Sequence, residues 1–88
     1  MEKISSNTRY GANYGNLRVE ADVNTDADNK VKSINTGIVR DEENKVNASF
    51  NVSQNGQLNL WGIDIADKAT TDAVTAAIAE FYKEAITQ

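Results

Sequence analysis

The sequence has no cysteine, no histidine and no proline among its 88 residues. Without cysteine the chain cannot form a disulfide, a thiol nucleophile or a thiolate metal site. Without histidine it lacks the commonest general base and the commonest ligand of transition metals. Catalysis would have to rely on Asp, Glu, Lys, Ser or Tyr, and no spacing of these residues indicates a pocket. We therefore predict that the protein is not an enzyme and holds no metal and no cofactor.

Long apolar runs and an excess of basic residues are also missing. The formal net charge is -4 and the pI is about 4.6, whereas proteins that neutralise phosphates normally carry a basic surface. No run approaches the roughly 20 apolar residues of a membrane helix, and the first residues lack the apolar segment of a signal peptide. We expect a soluble, cytoplasmic protein with no membrane association, for which nucleic acid is not the main partner.

The stretch from Val46 to Ile65 contains the strongest pattern that is present. Residues 46–53 alternate apolar and small polar side chains, and a second strand-like run follows at 58–65. Asn55-Gly56 lies between them, and this dipeptide is the strongest short-range signal for a β-hairpin. The sequence therefore predicts two antiparallel strands with a tight turn.

The hydrophobic pattern also predicts the register of this hairpin. A two-residue turn would place polar residues opposite apolar ones. A three-residue loop that ends at Gly56 pairs Val52 with Leu58 and Phe50 with Leu60, so we prefer a type I turn with Gly56 as the left-handed residue of a G1 bulge.

This register leaves three large apolar residues on the opposite side of the strand: Trp61, Ile63 and Ile65. One interpretation is a second apolar surface that binds a protein partner. The alternative is a bulge at Gly62 that turns Ile63 and Ile65 into the core.

The residues before this hairpin predict further strands. We expect residues 1–13 to form a flexible arm. Tyr10 and Tyr14, each followed by a glycine, either pack on the rim of the core or contact a partner. Residues 17–24 alternate as a half-buried strand, and 31–40 form a second strand with an irregular phase that indicates a bulge at Gly37.

From Asp67 onward the apolar period changes from two to about 3.6, which predicts a helix. Thr70 or Thr71 is the expected cap, with Asp72 in the first turn. The predicted buried stripe consists of Val74, Ala77, Ile78, Phe81, Tyr82 and Ala85.

These patterns together predict an α+β fold, a four-stranded antiparallel β-meander with one C-terminal helix packed on one face. We expect a single ββββα domain over 14–88. The helix should cover the face that carries Val19, Ala21, Phe50, Val52, Leu58 and Leu60.

Two acidic clusters are candidate sites. Asn24, Asp26 and Asp28 have the spacing of a calcium loop, but Asn29 and Asn35 stand where that loop requires Gly and Glu. The carboxylates at 41–43 are adjacent on a predicted turn, whereas catalytic pairs come from separate elements. We interpret both clusters as turn residues.

The best functional interpretation is a small non-enzymatic module for protein interaction or assembly, with self-association as one form of it. The contact candidates are Trp61, Ile63, Ile65, Tyr10 and Tyr14. One alternative is an acidic inhibitor of a nucleic-acid-binding protein, encoded by a phage or mobile element. The other is a single-stranded nucleic-acid binder, in which Trp61 stacks on bases near Arg18, Lys32 and Arg40.

Overall fold

The computed structural model describes residues 5–28, 30–43 and 45–87. In chain order the elements are β1 (Ser5–Tyr14), β2 (Leu17–Asp26), β3 (Val31–Asp41), β4 (Asn47–Val52), β5 (Leu58–Trp61) and α1 (Lys68–Ile86). The strands form one antiparallel sheet in the order β1-β2-β3-β4-β5. The predicted α+β class, with an antiparallel sheet followed by a helix, is confirmed.

The predicted number of strands was wrong, because the sheet has five strands rather than four. The additional strand is β1, which occupies most of the residues 1–13 that the sequence analysis assigned to a flexible arm. Gly15 has a φ of +63°, and a two-residue Gly15-Asn16 turn joins Tyr14 directly to its partner Leu17. This turn brings β1 alongside β2 over ten consecutive residue pairs. Residues 1–4 of the expected arm lie outside the described residues.

An irregularity in β3 explains why its apolar residues do not alternate regularly with polar ones. The pairing with β4 shifts between Ile34 and Gly37, and Thr36 has a φ of +53°. The shift turns Ile34, Gly37 and Val39 to the same buried side, although their numbers differ in parity. Gly37 lies against the ring of Phe50, so a Cβ at this position would come within 2.4 Å of a ring carbon. The predicted bulge next to Gly37 is therefore present.

The hairpin of β4 and β5 has the predicted register. Val52 pairs with Leu58 and Phe50 pairs with Leu60. The Gly56 amide donates to the Ser53 carbonyl at 2.9 Å, and Gly56 has a φ of +83°. These are the features of a three-residue loop that ends in a left-handed glycine.

The helix begins one turn earlier than its predicted caps. Asp67 is the N-cap, and its carboxylate accepts from the Thr70 amide at 3.1 Å and from the Thr70 hydroxyl at 2.7 Å. These two bonds lower the pKa of Asp67. The expectation that Thr70 or Thr71 caps the helix was wrong, because a carboxylate was available three residues upstream. Asp72 consequently lies beyond the first turn, where it pairs with Lys68 at 2.6 Å.

The core lies between α1 and one side of the sheet. The predicted stripe on α1 is confirmed, since Val74, Ala77, Ile78 and Phe81 are buried and Tyr82 and Ala85 pack against them. Phe81 meets Phe50 edge to face, with ring centroids 6.4 Å apart. The other side of the sheet has no layer over it among the described residues. We call it the open face.

Candidate protein-contact surface

Trp61 lies at the end of β5 and projects from the open face. It pairs with Ser49, whereas its neighbour Leu60 pairs with Phe50 on the side that α1 covers. The alternation of the strand therefore sends Leu60 to the core and Trp61 away from it. The Trp61 side chain is 55% exposed.

The residues after Trp61 separate into one core residue and one surface residue. Gly62 has a φ of +84°, and a Cβ there would lie 2.8 Å from the Asn47 carbonyl oxygen. The chain changes direction at this glycine, so that Ile63 packs against the core while Ile65 is 82% exposed. Each of the two interpretations of this segment thus describes part of it. Gly62 turns Ile63 inward, and Trp61 and Ile65 stay at the surface.

The two tyrosines lie on the opposite edge strand and on the opposite side of the sheet. Tyr10 pairs with Ala21 and Tyr14 pairs with Leu17, so both side chains project towards α1. Tyr10 is 40% exposed. Four strand spacings separate β1 from Trp61 on β5, a distance of about 19 Å. The structure therefore does not bring the five candidate residues together.

Tyr14 is partly buried, and no group among the described residues lies within hydrogen-bonding geometry of its hydroxyl. Burial, together with the nearby carboxylates of Glu84 and Glu80, raises the pKa of Tyr14 to about 12. Its position matches the interpretation that it packs on the rim of the core.

Two adjacent rows of paired residues define the open face at its centre. One row runs Gly11, Glu20, Ile38, Ser49 and Trp61. The next runs Asn13, Arg18, Arg40 and Asn47. Trp61 therefore stands at one end of a flat, mostly polar surface, with Ser49 beside it and Ile38 beyond.

Charged side chains on this face form a network around Glu20. The Glu20 carboxylate lies 3.8 Å from Arg9, 3.2 Å from Arg18 and 3.9 Å from Arg40. Arg9 also contacts Asp22 at 3.1 Å. This network holds all three arginines of the chain against two carboxylates, whereas the chain as a whole has a net charge of -4. The sequence placed Arg18 and Arg40 near Trp61, but it gave no indication of Arg9, which reaches this face only through the additional strand β1.

Asparagine lines the part of the open face beside β5. The Asn59 amide donates to the Asn51 side-chain oxygen at 2.9 Å across the two strands. This bond satisfies two polar groups that would otherwise need water, and it fixes the local surface next to Trp61. It gives part of the asparagine-rich strand composition a structural role.

The acidic turns have structural roles as well. The Asp26 carboxylate accepts from the amides of Asp28 and Lys30 at 2.9 and 3.0 Å. The Asp41 carboxylate accepts from the Lys45 amide at 2.7 Å. Both are turn-stabilising contacts of the kind that Asp makes in loops. Within the described ranges, no group of three or more acidic side chains is placed to hold a metal ion.

A groove that the sequence did not indicate lies between the first half of α1 and the turn of β1 and β2. Its volume is about 570 Å³. Small apolar side chains of α1 form one wall, including Ala69, Ala73 and Ala76, and Leu17 and Val46 form part of the other. The groove exists because alanines on this side of the helix leave the sheet partly uncovered.

Comparison with protein-family models, with curated proteins and with solved structures gave no match. In the part of the chain that the structure describes, no helix combines the length and the apolar character that crossing a bilayer requires.

Proposed function

We propose that the chain is a small, non-enzymatic protein-interaction module of the cytoplasm and that the open face around Trp61 is its contact surface. The observation that carries the proposal is the position of Trp61, 55% exposed on the side of the sheet that α1 does not cover. Leaving a large aromatic side chain exposed to water is unfavourable, whereas burying it at the centre of an interface is favourable.

The surroundings of Trp61 support a protein partner. Ser49 and the bonded pair of Asn51 and Asn59 form a flat polar rim beside it. An aromatic anchor with a polar rim is the usual composition of a protein interface. Ile65, which is 82% exposed and only four residues further on, extends the apolar part of the surface.

The charge of the open face defines the partner more closely. Among the described residues, Arg40 has one ion-pair contact, at 3.9 Å, and its side chain is 47% exposed. Its guanidinium therefore has donors available for a second carboxylate. We infer a partner segment that places an apolar side chain on Trp61 and an acidic side chain near Arg40.

A second candidate, binding of single-stranded nucleic acid, is favoured by one observation. All three arginines of the chain share the open face with Trp61, which is the combination used to stack bases and track phosphates. Glu20 and Asp22 lie among these arginines and neutralise most of their charge. For this reason we place a protein partner first. The acidic-inhibitor alternative depends on size and net charge alone and stays a prediction.

The test compares two apolar residues of β5 that face opposite sides. A library of displayed random peptides is selected on the wild-type chain, and the enriched peptides are titrated against Trp61→Ala and Leu58→Ala. Leu58 is 39% exposed on the side that carries Val52, so it controls for loss of apolar surface. We expect peptides that combine apolar and acidic residues. Trp61→Ala should weaken their binding by about 2 kcal/mol, roughly thirtyfold, and Leu58→Ala should leave it unchanged.

Single-stranded oligonucleotides are tested in parallel by the fluorescence of Trp61, the only tryptophan in the chain. We expect no salt-sensitive quenching below about 1 µM, which is tighter than ordinary non-specific association. Quenching in that range would favour the second candidate. Peptides that bind both variants equally would remove Trp61 from the contact surface.

A further inference from the structure

The two edge strands of the sheet differ in how well they are protected. An exposed edge offers unpaired amides and carbonyls to another chain, and proteins usually block it with a short strand, charges, proline or a bulge. β5 is only four residues long and ends at the sharp turn of Gly62. β1 is ten residues long and pairs with β2 without a register shift. It contains no proline, and its only charged residue is Arg9.

The turn that joins β1 to β2 determines which backbone groups are free. A two-residue turn makes Tyr14 and Leu17 a hydrogen-bonded pair, and hydrogen-bonded pairs then alternate along the hairpin. The even residues of β1 therefore direct their amides and carbonyls to β2. The odd residues from Asn7 to Asn13 direct theirs to the outer edge of β1, where no strand among the described residues pairs with them.

From this edge we propose that the protein forms a two-fold symmetric dimer in which β1 pairs antiparallel with β1 of a second copy, centred on Tyr10. The two sheets then join into one continuous sheet with both helices on the same side. The proposal does not depend on the Trp61 surface, which lies at the opposite edge.

The register follows from the side chains of β1. Residues that face each other across a two-fold axis must lie on the same side of the sheet. The axis must therefore lie midway between one residue of β1 and the same residue of the second copy. An axis at Arg9 would place two guanidinium groups opposite each other, which is unfavourable. An axis at Tyr10 places two partly exposed tyrosines opposite each other, in the closely spaced type of pair. It also pairs about nine residues of each strand, with about eight backbone hydrogen bonds.

The shape of the open face favours the same register. Arg9 of one copy falls opposite Gly11 of the other, where no side chain obstructs it. Gly11 pairs with Glu20 in its own sheet. Arg9 of the second copy, opposite Gly11, therefore lies in the same row of the joined sheet as Glu20. In the single chain, the Arg18 guanidinium lies over Gly11, 2.4 Å from the position that a Cβ would take there. Because this group is the end of a flexible side chain, it can move aside. A second copy therefore adds a strand at this edge, and the missing side chain of Gly11 leaves room for its Arg9.

The first test measures mass in solution by analytical ultracentrifugation for the wild type and two variants, Tyr10→Lys and Trp61→Lys. Both variants change the net charge equally, and each alters the exposed aromatic residue of one edge. We expect the wild type to reach twice its chain mass of 9.6 kDa as concentration rises. Tyr10→Lys, which places two ammonium groups opposite each other, should raise the dissociation constant about tenfold or more, and Trp61→Lys should not.

The second test uses the absence of cysteine, since each cysteine variant then has a single thiol. Paired residues of the close type lie within reach of a disulfide. Tyr10→Cys alone should form a cross-linked dimer on mild oxidation. Thr8→Cys and Ala12→Cys should cross-link when mixed and not separately, because they face each other in this register.

A wild type that stays monomeric up to about 1 mM would overturn the proposal. So would a dimer that Trp61→Lys dissociates and Tyr10→Lys does not, or a cross-linking pattern that fits another register. Because the peptide titrations with Trp61→Ala address the other edge, failure of one proposal is distinguishable from failure of the other.

Discussion

The two faces of the sheet are built from the same strands but respond to different physical requirements. The side under α1 carries apolar residues that are almost completely removed from water, such as Val19, Val39 and Phe50. The open face carries asparagine, serine, arginine and Trp61, all of which keep contact with solvent. Burial of apolar area is the main favourable contribution to folding. The covered face should therefore determine stability, while substitutions on the open face leave the fold nearly unchanged.

The largest expected difference is between two aromatic residues on opposite faces. Phe50 is 1% exposed and contacts Phe81, whereas Trp61 is 55% exposed. Phe50→Ala should lower the free energy of unfolding by about 3–5 kcal/mol. Trp61→Ala should lower it by less than about 1 kcal/mol. Urea denaturation followed by circular dichroism measures both, and equal losses would show that the open face is part of the core.

A smaller difference is expected between two glycines that each lie under a side chain. A Cβ at Gly37 would come within 2.4 Å of the Phe50 ring, and one at Gly11 would come equally near the end of Arg18. The ring is fixed in a packed core, whereas the guanidinium is the end of a flexible, partly exposed side chain and can move aside. Gly37→Ala should therefore cost about 1–3 kcal/mol, and Gly11→Ala should change stability by less than about 0.5 kcal/mol.

Both glycine variants are measured by urea denaturation at low protein concentration, so that self-association does not contribute. A large loss for Gly11→Ala would mean that the open face is packed as rigidly as the core.

The covered face was largely predictable from the sequence because its signals are periodic. The stripe on α1 follows the helical period, and pairing Phe50 with Leu60 follows from placing apolar residues opposite each other. The bulge beside Gly37 was indicated by a break in the alternation of β3. The position of Trp61 on the open side followed from the same register.

The strand β1 was missed because its signal is weak. Tyr10, Ala12 and Tyr14 alternate, but no Val, Ile or Leu lies among them. The Gly15-Asn16 dipeptide that follows is a recognised signal for a two-residue hairpin turn, and it would have identified the strand. The arrangement of charges on the open face was beyond sequence reasoning for a related reason, because it requires the register of β1, β2 and β3 together.

Tyr14 allows a test of the covered face at high pH. The pKa of Tyr14 rises from 10.0 to about 12 in the folded protein, so folding disfavours the ionised form. The unfolded chain begins to lose this proton near pH 10 while the folded chain retains it. The contribution of Tyr14 to stability is therefore fully present below pH 10 and is lost as pH rises to about 12.

The measurement is the urea midpoint of wild type, Tyr14→Phe and Tyr10→Phe between pH 9 and about 12. Tyr14→Phe should remove part of the fall in stability, and Tyr10→Phe should retain it. At pH 7, Tyr14→Phe should cost little, because the hydroxyl that it removes has no hydrogen-bond partner in the part of the chain that the structure describes. If wild type and Tyr14→Phe lost stability equally between these pH values, the Tyr14 hydroxyl would have to be exposed to water.

The smallest expected effect concerns the ion pairs of the open face. Glu20 lies within 3.2–3.9 Å of Arg9, Arg18 and Arg40, so Glu20→Gln leaves three guanidinium groups without their common partner. These side chains are 30–47% exposed, and exposed pairs contribute about 0–1 kcal/mol each because water screens them and ordering the side chains costs entropy. Glu20→Gln should therefore lower stability by about 1 kcal/mol or less in low salt, and the loss should shrink in about 1 M salt, where the screening length is near 3 Å. Glu43→Gln, which removes a single pair with 69–76% exposed side chains, is the control and should have no measurable effect in either condition. A loss for Glu20→Gln that persists in high salt would show that the network is shielded from solvent, and the two faces would then differ less than their composition indicates.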